Sequence, residues 1–171
     1  MNISNTQIGP WMSEKEINFL SSFLEPSDIM LEWGCGGSTL KFSQNVKEYY
    51  SIEHNKDWYN KIKNILSPKE NIFMHYVPND LPRKLVYGPS KYEEFVTYIK
   101  HVSTLNTRFN KVLIDGRGRQ WCAEEVLPFL APDAIVFLHD FGKPDRARYN
   151  SVLNFYSKIA QADTLIALKA K

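Results

Sequence analysis

The sequence is poor in cysteine. Cys35 and Cys122 are the two cysteines among its 171 residues. Two thiols are too few for the disulfide framework of a small secreted protein, and too few for a structural zinc site built from cysteines. We therefore expect both cysteines to be reduced, and we predict that the protein is cytoplasmic.

Long apolar runs and an excess of one charge are also absent. No segment approaches the roughly 20 apolar residues that cross a bilayer. The start MNISNTQIGPWMSEKE lacks the basic and apolar regions of a secretory signal. The 21 lysines and arginines and 19 acidic residues leave a net charge of +2, without the long basic run that a nucleic-acid binder often carries. We expect a soluble protein with no membrane or nucleic-acid partner.

Apolar residues recur in a pattern that alternates strands with helices. Periodicity predicts strands at 29–31, 49–52, 72–77, 112–114 and 134–138, and helices at 13–24, 38–46, 56–66, 92–105, 121–130 and 147–155. Ser13 and Glu16 have the spacing of a capping box, and the tail YSKIAQADTLIALKAK predicts a hairpin that turns near Asp163. Such alternation indicates a mostly parallel sheet with helices on both faces. We predict one domain over 1–171, in which 1–26 form a helical segment that packs on the core.

A glycine-rich stretch, LEWGCGGSTLKF, follows the first predicted strand directly. In an open parallel sheet, ligands bind beyond the carboxyl ends of the strands. Gly34 and Gly36 allow a close approach that a Cβ would block. Ser38 and Thr39 add hydroxyl donors near a helix N-terminus. Glu53 ends the second strand, where a carboxylate can accept hydrogen bonds from a ribose; a surface glutamate is the alternative.

Together, LEWGCGGST and YSIEHNKDWYNKI resemble motif I and the acidic second-strand end of the class I S-adenosylmethionine-dependent methyltransferases. Motif I of that family has an acidic residue, a spacer and Gly-x-Gly-x-Gly. Glu32, Gly34 and Gly36 match it, and Ser38 stands in place of the third glycine. The resemblance, which extends from about Trp11 to the C-terminus, implies an α/β fold with a Rossmann-like, doubly wound, mostly parallel seven-stranded sheet and a C-terminal antiparallel hairpin. It also implies S-adenosylmethionine as the cofactor.

The same resemblance implies roles for individual residues around the cofactor. Those at the methionine portion are Glu32 near the amino group, Gly34, Cys35 and Gly36 along the chain, and Ser38 and Thr39 at the carboxylate. Those at the nucleoside are Glu53 on the ribose, His54 and Trp58 beside the adenosine, and Pro78, Asn79 and Asp80 near the adenine. Asp115 and Gly116 complete the implied cofactor contacts.

Two further strands end in polar side chains on the same rim. KVLIDGRGRQ places Asp115 after the fourth strand, and AIVFLHDFGK places His139 and Asp140 after the fifth. A hydroxyl nucleophile needs its proton removed, and imidazole titrates near neutrality. We predict that His139 is the general base and that Asp140 orients it or binds the substrate; a structural hydrogen-bonded pair is the alternative.

A metal ion is a further possibility that the resemblance raises. The layout resembles O-methyltransferases of catechol and sugar modification, in which carboxylates after the fourth and fifth strands hold Mg²⁺. Asp115 and Asp140 match two such positions. His139 stands where many of those enzymes have another aspartate, which makes a poorer site for a hard cation. Mg²⁺ or Mn²⁺ is therefore expected to be optional at most.

Basic and aromatic residues are the candidates for binding an acceptor. Arg117 and Arg119 could fork onto a carboxylate, a phosphate or a vicinal diol, although exposed arginines are an equal alternative. With Lys143, Arg146 and Arg148 they form the most basic group in the chain, interpreted as the rim of an active site rather than a solvated surface. The candidates for a stacking wall, against ordinary core packing, are Tyr87, Tyr92 and Trp121.

We therefore expect an S-adenosylmethionine-dependent O-methyltransferase that acts on a hydroxyl of a small molecule or a glycan. Polar, basic loops favour a hydrophilic acceptor such as a saccharide. A nicotinamide-dependent oxidoreductase is one alternative; Thr39 at the last fingerprint position and the terminal hairpin disfavour it. A non-catalytic module that binds S-adenosylmethionine is the other, and the intact set of polar residues at the rim disfavours that.

Overall fold

The computed structural model describes residues 8–66, 69–81 and 89–171. Within them, seven strands form one sheet: β1 Ile29–Trp33, β2 Glu48–Glu53, β3 Ile72–Tyr76, β4 Phe109–Ile114, β5 Leu130–Leu138, β6 Tyr156–Ala162 and β7 Leu165–Ala170. The α-helices are α1 Glu14–Ser21, α2 Gly37–Phe42, α3 Lys56–Leu66, α4 Val96–Lys100 and α5 Arg119–Glu125. None of the helices in these ranges combines the length and hydrophobicity needed to cross a membrane.

The strands lie in the order β3-β2-β1-β4-β5-β7-β6. Strands β1 to β5 pair in parallel, β7 runs antiparallel to β5, and β6 runs antiparallel to β7. The predicted fold class, including the C-terminal hairpin, is confirmed. Strand order reverses at β1, whose two neighbours are β2 and β4, and the crevice at such a reversal is where open α/β sheets bind ligands.

Side chains of the central strands alternate between two buried faces of the sheet. In β1, Leu31 and Trp33 join the cluster that contains residues of α4 and α5, whereas Met30 joins the cluster that contains residues of α1 and α2. Successive strand residues point to opposite faces. Glu32 therefore points toward the α2 side, where helices cover the sheet, and it is fully buried.

Helix α1 begins as the sequence predicts. Ser13 and Glu16 form the expected capping box, and Phe23 packs edge to face on Phe137 of β5 with ring centroids 5.4 Å apart. The helix ends at Ser21, three residues before its predicted end at residue 24. Residues 1–7 of the predicted N-terminal segment lie outside the described residues.

The helix predicted at 92–105 is broken. A 3₁₀ turn covers Tyr92–Glu94, and Phe95 departs from helical geometry at φ −139° and ψ 23°. Helix α4 begins only after that break, where the backbone N–H of Thr97 donates to Asp80 Oδ2 at 2.9 Å. A carboxylate from another loop thus satisfies an N–H that a continuous helix would have bonded internally.

The segment predicted to be an α-helix at 147–155 also differs from the prediction. The segment Pro144–Asn154 takes 3₁₀ geometry with a break at Arg146. Residues three apart lie on the same side of a 3₁₀-helix, and the two buried residues of the segment, Tyr149 and Val152, have that spacing. The spacing of apolar residues in this stretch fits both kinds of helix, so sequence periodicity alone did not separate them.

Candidate active site

A cavity of about 940 Å³ opens at the carboxyl ends of β1, β2, β4 and β5. All the predicted catalytic, metal and arginine positions line it, and so do the predicted cofactor residues of the glycine stretch and of the β2 end, except Thr39. The residues expected near the adenine, at 78–80, do not line it, and neither do Tyr92 and Trp121. Tyr87 lies outside the described residues.

The glycine stretch is shaped largely by contacts within the chain. Gly34 has φ +96°, and a Cβ there would lie 3.1 Å from the backbone nitrogen of Gly116 in the loop after β4. A Cβ on Gly37 would lie 1.9 Å from the carbonyl carbon of Gly9. These two glycines therefore allow one stretch of backbone to pass close against another, independently of any ligand.

The crossing at Gly37 brings the N-terminal segment to the mouth of the cavity. Pro10 and Trp11 line the cavity there. The Trp11 ring, which is 84% exposed, lies 5.8 Å from the ring of Trp58. Trp58 in turn donates its indole N–H to the carbonyl of Cys35. Sequence reasoning missed Trp11, because nothing in the local pattern joins residues 47 positions apart on one wall.

Glu32 is enclosed by hydroxyl groups at the base of the cavity. Its Oε2 accepts hydrogen bonds from Thr39 Oγ1 at 2.6 Å and from Tyr49 at 2.9 Å, and its Oε1 accepts one from Ser38. Burial raises the pKa of Glu32 to about 8, against the opposing effect of these donors. The hydroxyls of Ser38 and Thr39 thus donate to Glu32. The resemblance had instead implied that they bind the carboxylate of the cofactor. Tyr49 was not predicted.

Glu53 is also buried, but its pKa is shifted in the opposite direction to that of Glu32. Burial tends to raise its pKa, but the nearby His54 and two backbone donors outweigh that effect and hold the pKa below its usual value. The donors are the N–H groups of Cys35 at 2.9 Å and Asn55 at 2.7 Å, and His54 Nδ1 lies 3.0 Å from Oε1. Glu53 therefore presents a carboxylate to the cavity and ties the glycine stretch to the end of β2.

His139 lies between two carboxylates. Its Nδ1 is 2.8 Å from Asp115 Oδ1, and its Nε2 is 3.4 Å from Glu16 Oε2. Burial lowers the pKa of His139, but Asp115 and then Asp140 act more strongly in the other direction and leave it raised, against the effect of Arg119. The orienting carboxylate is Asp115, since the nearest Asp140 oxygen is 4.0 Å from Nδ1.

Glu16 reaches this site from helix α1. Besides its capping-box bond, it accepts hydrogen bonds from the backbone N–H of Thr164 at 2.9 Å and from its hydroxyl at 2.7 Å, in the turn between β6 and β7. Its side chain is buried. One residue therefore starts a helix, fixes that helix to the terminal hairpin and faces His139. The sequence signalled only the first of these contacts.

Arg119 is an internal ion-pair partner. Its Nη2 lies 3.1 Å from Asp115 Oδ1, and its Nη1 lies 3.1 Å from Asp140 Oδ2. Nη1 also donates to the carbonyl of His139 at 2.6 Å, and Nε donates to the carbonyl of Gly116 at 3.0 Å. Most of its donors are therefore satisfied within the protein, so Arg119 is poorly placed for the substrate-binding role suggested by the sequence.

The same contacts bear on the metal site that the resemblance implies. Asp115, His139 and Asp140 offer one ligand atom each within 4.8 Å of one another. However, Arg119 pairs with both carboxylates, and Lys143 pairs with Asp140. Mg²⁺ prefers a near-octahedral set of oxygen ligands. A set of two carboxylates already neutralised by cations and one imidazole nitrogen therefore does not fit Mg²⁺.

Comparison with known proteins bears on the fold. No protein-family model and no curated protein sequence matches the chain. Among solved structures, a methyltransferase-like protein from Silicibacter pomeroyi superposes with a TM-score of 0.77 at 22% identity, over 96% of this chain and 89% of that one. The chain has the Rossmann-like methyltransferase fold.

Two further structures show the same fold with cofactor bound. A putative methyltransferase from Streptococcus mutans in complex with S-adenosylhomocysteine has a TM-score of 0.61 at 13% identity, over 94% of this chain and 99% of that one. A glycopeptide N-methyltransferase complexed with S-adenosylmethionine has a TM-score of 0.59 at 12% identity, over 91% and 86%. One fold can carry many activities, so the fold does not by itself specify an acceptor.

The raised pKa of Glu32 predicts how stability depends on pH. A carboxyl group whose pKa rises from 4.5 to about 8 on folding stabilises the protein fully below pH 4.5, and that stabilisation is lost as the pH rises through 8. Between those values Glu32 should lower the free energy of unfolding by up to about 1.4 kcal/mol per pH unit. Glu32→Gln should remove this slope, as measured by urea unfolding across that range. Equal slopes in wild type and Glu32→Gln would contradict the burial argument, and Glu93→Gln, at an exposed site, is the control.

The surroundings of His139 predict its titration. The wild-type imidazole should titrate above 6.5, and Asp115→Asn should lower its pKa because the nearest carboxylate is lost. NMR titration of labelled histidine rings, with the His139 signal assigned from its loss in His139→Gln, measures both values. Asp145→Asn, at a 70% exposed position, should leave the titration unchanged. A wild-type pKa at or below 6.5 would refute the arrangement.

Proposed function

We propose that the protein is an S-adenosylmethionine-dependent methyltransferase that methylates a hydroxyl group of a small molecule or a saccharide. The observation that carries the proposal is the ionised, buried carboxylate of Glu53, which faces the same cavity as the Asp115–His139 pair. The first group suits a ribose, and the second suits the removal of a proton. The bound cofactors in two structures of the same fold support this proposal.

The proposed cofactor would lie across the ends of β1 and β2. Its ribose hydroxyls would donate hydrogen bonds to the carboxylate of Glu53, which the N–H groups of Cys35 and Asn55 already hold in place. Its methionine portion would follow Gly34 to Gly36, toward Glu32. An ammonium group close to Glu32 would favour the ionised form of that carboxyl group. Trp58 and Trp11 would cover the open side.

S-adenosylmethionine supplies an activated methyl group on a sulfonium sulfur, so the chain has mainly to align an acceptor with it. An acceptor hydroxyl must also lose its proton as the new oxygen–carbon bond forms. His139 is the group we propose to take it, at Nε2, while Asp115 holds Nδ1–H. Glu16, on the Nε2 side, would stabilise the imidazolium that results.

The size of the cavity is compatible with two ligands at once. Pockets for single small molecules span about 300–1,000 Å³, and this cavity of about 940 Å³ stands near the upper end. It therefore has room for a nucleoside cofactor and a small acceptor or the end of a glycan. We also propose that the acceptor is a small molecule or a saccharide and that the protein acts in the cytoplasm.

Removal of the Glu53 carboxylate should weaken cofactor binding. For Glu53→Ala we expect a loss of about 1–3 kcal/mol in S-adenosylhomocysteine affinity, the usual contribution of hydrogen bonds to a charged group. Isothermal titration calorimetry measures the affinity. Glu48→Ala, on the same strand but at its opposite end, is the matched control and should bind as wild type does.

Glu53→Gln separates binding from structure, because Glu53 also supports the glycine stretch. The amide keeps the side-chain shape and one acceptor oxygen, whereas Oε1 and Oε2 of Glu53 each accept from a backbone N–H group. It should therefore also weaken binding, while its thermal unfolding temperature falls less than that of Glu53→Ala. If both variants bind S-adenosylhomocysteine with wild-type affinity, Glu53 does not bind the ribose. If the wild type binds none, the proposed function fails.

Replacement of His139 should affect transfer rather than cofactor binding. We expect His139→Ala to bind S-adenosylhomocysteine nearly as wild type does and to lose about 10²–10⁴-fold in turnover, the usual contribution of a general base. Because the base must be neutral and its pKa is raised, wild-type activity should fall as the pH drops through a value above 6.5. A fully active His139→Ala enzyme would rule out this role. The turnover of wild type and of His139→Ala is measured by transfer of a radiolabelled methyl group to the acceptor.

A further inference from the structure

The cavity has a basic end that the cofactor would not occupy. Arg146 and Arg148 line it, on the 3₁₀ segment Pro144–Asn154 that connects β5 to β6. In a regular 3₁₀-helix, residues two apart point to different sides. Arg146 interrupts the regular geometry at φ −116° and ψ 16°, and both guanidinium-bearing side chains line the cavity.

These two arginines are less fully paired than the other cations of the cavity. Arg119 and Lys143 are bonded to Asp115 and Asp140. By contrast, Nε of Arg146 is buried and has no hydrogen-bond acceptor among the described residues. The nearby Asp145 carboxylate, 3.2 Å away, is 70% exposed and out of hydrogen-bonding geometry.

Arg148 is positioned but leaves donors available. Its Nη1 donates to the backbone carbonyl of Asp145 at 2.8 Å, and its guanidinium lies over the ring of Tyr149, 4.8 Å from the centroid. Stacking on an aromatic face fixes the plane of a guanidinium, which lowers the entropy cost of each hydrogen bond that it then makes.

The acidic groups toward this end already have partners. Asp163 accepts a hydrogen bond from the hydroxyl of Ser13 at 2.6 Å, and Glu16 is bonded to Thr164 and faces His139. Among the described residues, no carboxylate of the cavity is hydrogen-bonded to Arg146 or Arg148. Apart from the exposed carboxylate of Asp145, no anion among the described residues pairs with this end, and oxyanions match the planar fork of arginine.

We propose that the acceptor carries an oxyanion, either a carboxylate or a phosphate ester, and that Arg146 and Arg148 bind it. This inference rests on the proposed function, because it places the acceptor beside His139 in a cavity shared with the cofactor. The substrate class becomes an acidic hydroxylated molecule, such as a uronic acid or a sugar phosphate.

Binding of simple probes to the full chain saturated with S-adenosylhomocysteine tests the proposal. The probes are glucose 6-phosphate, glucuronate, inorganic phosphate and neutral glucose, each titrated by ligand-detected NMR. Both charged sugars should bind about tenfold or more tightly than glucose, as expected when a charge-assisted hydrogen bond is added. The tighter of the two identifies the oxyanion.

Charge-removing variants connect that preference to the two arginines. Arg146→Gln and Arg148→Gln should each lose about tenfold in affinity for the charged sugars and keep wild-type affinity for S-adenosylhomocysteine. Arg146→Lys, which keeps the charge without the fork, should fall between them and wild type. Lys100→Gln removes a positive charge outside the cavity and should change nothing. Thermal unfolding confirms that each variant is folded.

Two results would overturn the inference. One is that none of the three anions binds more tightly than glucose, and the other is that both glutamine variants bind the anions as wild type does. Failure of the proposed function gives a different pattern, namely no binding of S-adenosylhomocysteine to wild type. Arginine-dependent binding of anions to the unliganded chain would then still support the oxyanion site.

Discussion

The buried guanidinium of Arg119 is the interaction on which the site depends. It joins Asp115, after β4, to Asp140, after β5, and it also bonds the carbonyl of His139. Burial tends to lower its pKa, but Asp115, Tyr149 and Asp140 hold it above the usual value. Breaking a buried ion pair leaves an unpaired charge, which costs about 3–5 kcal/mol. The loops that carry the proposed catalytic groups are therefore fixed by this one side chain.

Two buried carboxyl groups on neighbouring strands show how environment selects a charge state. Glu32 is fully buried and accepts only from hydroxyl donors, so burial dominates and raises its pKa to about 8. Glu53 meets two backbone N–H groups and His54, which together outweigh burial and lower its pKa. Backbone donors and a neighbouring imidazole stabilise negative charge more than hydroxyl donors do here. The proposed cofactor site thus contains one carboxyl group that is ready to bind a ribose and one whose ionisation depends on its partner.

Regular elements were predictable where burial on both faces imposes a strong pattern. All five parallel strands and the hairpin were placed correctly within a few residues, as was α3 at Lys56–Leu66. The segments near 92–105 and 144–154 were not predicted correctly. In the first, the carboxylate of Asp80 bonds to a backbone N–H at the start of α4. In the second, the backbone takes 3₁₀ rather than α-helical geometry. Glu53, Asp115 and His139 were predicted to lie on one rim from their places at the ends of strands, and all three line the cavity. Glu16 and Trp11 were not predicted, since their roles arise from contacts across the fold.

By itself, the sequence determined the alternation of strands and helices, and with it the edge at which polar residues gather, because parallel strands bring their carboxyl ends together. Only the tertiary structure decided what those residues do there. It turned Ser38 and Thr39 inward to Glu32, and it made Arg119 an internal ion-pair partner while Arg146 and Arg148 line the cavity. The physical reason is that direction, burial and pairing depend on neighbours that are distant in the chain, and no local pattern encodes them.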